Sequence, residues 1–127
     1  MKESRIVIVG GGFGGIQAAL RLGAKRLPGA RVTLVSDRTH FEYHGVLYRV
    51  ATGKTPLEVC LPIRDIVRDE AIETVTDSIV GIDVEERVAL GQSGSRYPDD
   101  FLVLAPGSET ADFDIPGLRD FSYGIKS

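Results

Sequence analysis

Gly10, Gly12 and Gly15 occupy the three glycine positions of a G-x-G-x-x-G stretch, with Gly11, Phe13 and Gly14 between them. Such a stretch can hold a pyrophosphate on main-chain amides. The first glycine allows a tight turn, the second leaves room for the diphosphate, and the third lets helix and strand pack closely. A helix that begins there turns its unpaired N–H groups and the positive end of its dipole towards the anion, so no basic side chain is needed. Asp37 follows about twenty residues later, where an acidic side chain accepts hydrogen bonds from a ribose diol. Were Asp37 only a turn residue, the adjacent Ser36 could take that task.

The flanking segments have to place these groups. Arg5-Ile6-Val7-Ile8-Val9 is an unbroken, largely β-branched run, the pattern of a strand buried on both faces of a parallel sheet. After the glycines, Ile16, Ala19, Leu20, Gly23 and Leu27 share one face of a helix, and Pro28-Gly29 stops it. Arg31-Val32-Thr33-Leu34-Val35-Ser36 then reads as a second strand that ends at Asp37. Strand, glycine turn, helix, strand and acid in this order define a dinucleotide-binding unit, whereas a glycine loop serving helix packing alone would leave Asp37 unexplained.

Further along, residues 38–54 read as a loop leading into a short helix through Val46, Leu47 and Val50, with Gly53 as terminator. His40 and His44 lie four apart, but no further ligand pattern accompanies them, so loop packing or lining a ligand space is expected rather than a metal site. Thr55 to Leu61 reads as an extended connector, and Pro62 as the first turn of a helix with Ile63, Ile66 and Val67 facing inward. Arg64 and Arg68 form a solvated face or, at Arg64, meet a ligand phosphate. Glu73 to Asp83, Arg87 to Leu90 and Ser95 to Tyr97 read as an antiparallel meander. Phe101 to Ala105 is again a continuous apolar run, expected to be a central parallel strand, and Pro106-Gly107-Ser108 turns at the sheet's carboxyl edge. No element is expected from Ile115-Pro116-Gly117 to Ser127.

The 127 residues suffice for one domain burying roughly two thirds of its unfolded surface. With 15 basic and 18 acidic residues well mixed, the net charge of -3 offers no footprint for nucleic acid or an anionic membrane. No apolar stretch reaches the length of a transmembrane span. Met1-Lys2-Glu3-Ser4 runs straight into the first strand without a signal peptide, which makes the cytoplasm the expected compartment. Cys60 is the single cysteine, so this chain has neither an internal disulfide nor a redox-active pair, and Cys60 reads as a small core residue in preference to a reactive thiol.

Several of these segments, taken together, resemble the FAD-dependent pyridine nucleotide-disulfide oxidoreductase superfamily, with type II NADH dehydrogenases as the nearest likeness. They are Arg5 to Gly15, Val32 to Asp37, Leu47 to Gly53, Leu61 to Arg64, Gly81 to Asp83, Phe101 to Thr110 and Ile115 to Gly117. The resemblance implies an α/β fold: a Rossmann-like FAD-binding domain spanning 1–127, with a parallel sheet, helices and an antiparallel β-meander. It implies FAD at the glycine turn, with Gly10, Gly12, Phe13, Gly14 and Gly15 cradling the pyrophosphate and Ser36, Asp37 and Arg38 bordering the adenosine ribose. His44, Gly45 and Val46 would approach the ribityl chain and flavin, and Ala105 and Gly107 the pyrophosphate from below. The backbone of Ile79 would face the adenine, unless Ile79 is plain strand core.

Two residues depart from the family pattern. Pro106 replaces the threonine of the usual Ala-Thr-Gly and removes one N–H donor, and Gly45 replaces a customary proline. The resemblance implies that relatives continue into an NAD(P)H-binding domain, a returning segment that completes the flavin site and often a membrane-surface helix, and none of these is expected within residues 1–127. NAD(P)H or a quinone would therefore be engaged through a further domain or a partner chain, and a homodimer is expected to cover the exposed flavin. Two readings stand beside a flavoprotein oxidoreductase: a module that holds FAD or an adenine nucleotide without turnover, and a fold that uses NAD directly. No residue is singled out as catalytic.

Overall fold

A computed structural model of the chain describes residues 3–109 and 111–123. Thr110, the last residue of one family-like motif, lies outside the described residues, as do Met1, Lys2 and 124–127. In chain order the elements are β1 (Ser4–Val9), α1 (Phe13–Ala24), β2 (Ala30–Ser36), β3 (His40–Glu42), α2 (Tyr48–Ala51), β4 (Cys60–Pro62) and α3 (Ile63–Ile66). They continue with β5 (Ile72–Thr76), β6 (Ile79–Asp83), β7 (Val88–Gly91), β8 (Arg96–Pro98), β9 (Phe101–Leu104) and α4 (Leu118–Phe121).

The main sheet is parallel, in the order β5-β2-β1-β9. Ile6 pairs with Val32 on one side and Phe101 on the other, so β1 is flanked on both edges. Its Ile8 and the Leu34 and Val35 of β2 are all but completely buried. Each such burial is worth about 1.5–3 kcal/mol. Ile16 and Ala19 of α1 close over the face that carries Ile8 and Leu34, together with Ile63 and Val67 from the α3 region, as their spacing predicts. Arg5 anchors the opposite edge of the sheet: its amide, Nε and Nη2 all donate to the Asp100 carboxylate, which holds the guanidinium pKa above its ordinary value.

Helix α1 stops at Ala24, short of Leu27, which is left 39% exposed. The reversal into β2 needs the intervening residues: Arg26 and Gly29 both take positive φ, and the Gly29 carbonyl accepts from the Ser4 amide. Gly23 is needed because a Cβ there would stand 2.7 Å from Glu70 and 2.8 Å from Ile72, where the chain enters β5.

The structure corrects five expectations. His40 to Glu42 and Cys60 to Pro62, read as loop and connector, pair antiparallel as β3 and β4, and Pro62 caps α3 from outside. Glu73 to Asp83 is two strands, not one. The chain leaves the parallel sheet at Asp77, whose amide donates to the Ser36 carbonyl and whose Oδ1 accepts from Ser78, and restarts as β6 of the meander β6-β7-β8. Strand β9 is parallel but lies at the edge among the described strands, with Phe101 63% and Leu104 55% exposed. The accessible surface is 9068 Å², against about 6,600 Å² for a compact protein of this mass, so about half rather than two thirds of the unfolded surface is buried. Past β9, Gly117 takes a positive φ of 79° ahead of the single turn α4, an element not expected from sequence.

Candidate functional site

The carboxyl ends of β1, β2 and β9 converge on a cleft of about 580 Å³. Residues 10–14 follow β1, Ser36 ends β2 and Asp37 and Arg38 follow it, 105–109 follow β9, and His40, Glu42 and His44 supply the remaining wall. In open α/β sheets this is the position where ligands bind, outside the strand ends.

The glycines divide by role. Gly10 has φ +109°, and a Cβ there would overlap the Ala105 carbonyl, so the first glycine both turns and admits the end of β9. A Cβ on Gly15 would overlap the Gly10 carbonyl oxygen, which brings α1 hard against the turn and buries Gly15. Nothing lies within 4 Å of a Cβ on Gly12, which opens into the cleft. Gly11 was not anticipated as a site residue; a Cβ on it would press on Ile63 at 2.7 Å and on Ser36 at 2.9 Å. Gly12 is the N-cap of α1, no side chain caps the helix, and its first turn carries no acid. The first amides of the helix are therefore left for a ligand.

Ser36 is buried at the end of β2, where its Oγ accepts from the Arg38 amide. Asp37 and Arg38 are exposed on the cleft rim. Arg38 Nη1 lies 2.7 Å from Glu42 Oε2, and the same oxygen is 3.3 Å from His44 Nε2. His40 Nδ1 bonds Thr39 Oγ1 at 2.8 Å. Among the described residues no three His, Cys, Asp or Glu gather as metal ligands would.

Of the residues expected from sequence, Gly10, Gly12, Phe13, Gly14, Ser36, Asp37, Arg38, His44, Ala105 and Gly107 line the cleft together. Gly15 packs behind it, Gly45 and Val46 continue the 3-10 turn begun by His44, and Ile79 starts β6 away from the cleft wall. His40, expected to pack in the loop or line a ligand space, also lines it, as do Pro106 and Ser108 of the turn at the sheet's carboxyl edge, while Glu42 and Glu109 join the lining without having been expected there. Alternation of polar His40, Glu42 and His44 with aromatic Phe41 and Tyr43 was the available signal. Arg64 lines an adjoining hollow of about 380 Å³ that shares Ser36, Arg38 and His40 with the cleft wall. Cys60 is a half-buried free thiol outside both.

A parallel sheet with a glycine turn, an uncapped helix N-terminus and an acid after the second strand defines a Rossmann-like dinucleotide-binding protein. The model of the pyridine nucleotide-disulphide oxidoreductase family matches residues 4–127, and the chain belongs to that family. FAD is the cofactor of the family. An NADH dehydrogenase-like protein of Mycobacterium tuberculosis is 31% identical over 129 residues, covering 96% of this chain and 31% of that protein. The type II NADH:quinone oxidoreductase of Haemophilus influenzae is 35% identical over 129 residues, covering 91% of this chain and 29% of its own length. The solved sulfide:quinone oxidoreductase of Aquifex aeolicus superposes with a TM-score of 0.85 at 27% identity, over 98% of this chain and 29% of that one. The chain thus spans about three tenths of the length of these relatives.

Proposed function

We propose that the cleft binds FAD and that the chain acts as the FAD-binding domain, residues 1–127, of an NADH dehydrogenase-like oxidoreductase. The observation that carries this reading is the uncapped N-terminus of α1 opening past side-chain-free Gly12 into a cleft of about 580 Å³, within the 300–1,000 Å³ usual for cofactor sites. Amides of Phe13, Gly14 and Gly15 donate to the pyrophosphate, Gly10 and Gly12 make room, and Ala105 and Gly107 close it from below. Ser36, Asp37 and Arg38 border the adenosine ribose, and the backbone of Ile79 faces the adenine. His44, Gly45 and Val46 stand nearest the ribityl chain and flavin. Pro106 contributes no N–H on that wall. Once bound, FAD supplies the electron transfer, and these residues place it and set the charge around it.

NAD(P)H or a quinone is engaged through a further domain or a partner chain. A second copy covering the flavin as a homodimer, and a cytoplasmic setting that keeps Cys60 reduced, complete the reading. Among the described residues no helix is long and apolar enough to cross a membrane. The test is reconstitution of the purified chain with FAD. A flavin spectrum with FAD released on denaturation supports the reading, whereas a colourless protein that binds NADH in its place overturns it. Because no acid, base or nucleophile of this chain is given a catalytic role, a second reading is a holder of FAD without turnover. Slow or absent bleaching of the flavin by NADH is expected of the chain alone, and rapid stoichiometric bleaching contradicts that expectation.

A further inference from the structure

Phe13 opens α1 in the middle of the glycine turn, yet a phenyl ring offers a diphosphate no hydrogen bond. Its ring instead meets Phe41 edge-on, with centroids 4.9 Å apart and planes at 88°, and Tyr43 at 5.4 Å and 69°. Phe41 sits in β3 and Tyr43 just beyond it, so the two aromatics alternate with His40, Glu42 and His44, which line the cleft. Among the described residues no hydrogen bond joins residues 10–15 to 40–46. The Tyr43 amide donates to Val59, and the Glu42 carboxylate engages Arg38 and His44 within its own wall. Contact between the two walls at this point is aromatic.

We propose that Phe13, Phe41 and Tyr43 form a clasp that sets the width of the cleft, with Phe13 as a positioning residue for the dinucleotide. This inference rests on the reading that the cleft takes FAD. Edge-to-face rings are directional, because the positive edge of one meets the negative face of another. The glycine turn cannot hold the facing wall with side chains it lacks. One ring within the turn restores the link while leaving the amides around it bare. Phe13 is 54% exposed and stands outside the core cluster, so shortening it spares the fold.

The experiment compares Phe13→Ala, Phe13→Tyr, Tyr43→Ala and the double variant Phe13→Ala/Tyr43→Ala with the wild type, using two readouts. FAD release is followed by recovery of flavin fluorescence, and chymotryptic cleavage after Tyr43 is followed without FAD. Phe13→Ala is expected to release FAD roughly ten-fold faster, the loss of two edge-to-face pairs, and to be cut faster after Tyr43, with an unchanged circular dichroism spectrum. Phe13→Tyr restores both properties, and the double variant releases FAD no faster than the more affected single variant. Wild-type release and cleavage rates in Phe13→Ala, or additive effects in the double variant, would overturn the clasp. Failure of the wild type to bind FAD would sink the cofactor reading instead, and the cleavage rates would still decide the clasp: faster cutting of Phe13→Ala upholds it, and unchanged cutting overturns it.

Discussion

Two glycines five residues or fewer from each other in the same turn should respond to substitution in opposite ways. Gly12 faces open space, so Gly12→Val should fold and keep its circular dichroism spectrum while losing FAD, because the branched side chain fills the place of the diphosphate. A Gly12→Val protein that stays yellow contradicts the site. A Cβ at Gly15 would strike the Gly10 carbonyl, and backbone on both sides cannot yield cheaply. Gly15→Ala should cost about 3 kcal/mol, a fall in Tm of roughly 10 °C, measured by thermal denaturation. An unchanged Tm would mean that α1 does not pack as described. The separate tasks of the glycines were readable from their spacing, since turn, gap and close packing are backbone requirements. That Glu42 joins the wall was not, because it depends on β3 pairing with a partner about twenty positions distant.

At the scale of elements, Asp77 fastens the meander to the end of β5. Its carboxylate accepts from the Ser93 hydroxyl and amide, the Tyr97 hydroxyl at 2.7 Å and the Ser78 amide. The Ser93 hydroxyl foremost, then Tyr97, hold the Asp77 carboxyl below its ordinary range, while burial and Asp77 push the Tyr97 phenol up. A carboxyl with a lowered folded-state pKa contributes stability that is complete above its unfolded value, about 3.9, and lost as pH falls through the folded value. Between pH 5 and pH 3 the wild-type Tm should therefore drop more steeply than that of Asp77→Asn, which starts lower at pH 7. Parallel curves would contradict the fastening.

This junction also shows where sequence reading stopped. Val75, Ile79, Val80 and Ile82 carry one continuous apolar signal, and the break at Asp77 is imposed by hydrogen bonds to Ser36 and Ser93 that no local pattern reveals. The buried strands β1 and β2 were legible because central parallel strands are apolar without alternation. Phe101 to Leu104 has the same composition and yet lies at an edge, since composition records that a face is to be covered and not which element covers it.

For the molecule as a whole, apolar side chains of the edge strand β9 and of the segment after it stay exposed. Phe101, Leu104, Phe113 and Phe121 are more than half exposed, and the accessible surface exceeds that of a compact protein of equal mass. Exposed apolar surface of this extent favours association. Light scattering at rising concentration should show a dimer, and a monomer throughout would contradict the proposed second copy over the cleft.

The absorbance spectrum of the purified chain after incubation with FAD and removal of unbound cofactor tests the central claim most directly. The absorbance spectrum of a bound oxidised flavin, at one FAD per chain, is predicted. A colourless protein, properly folded by circular dichroism, would contradict it.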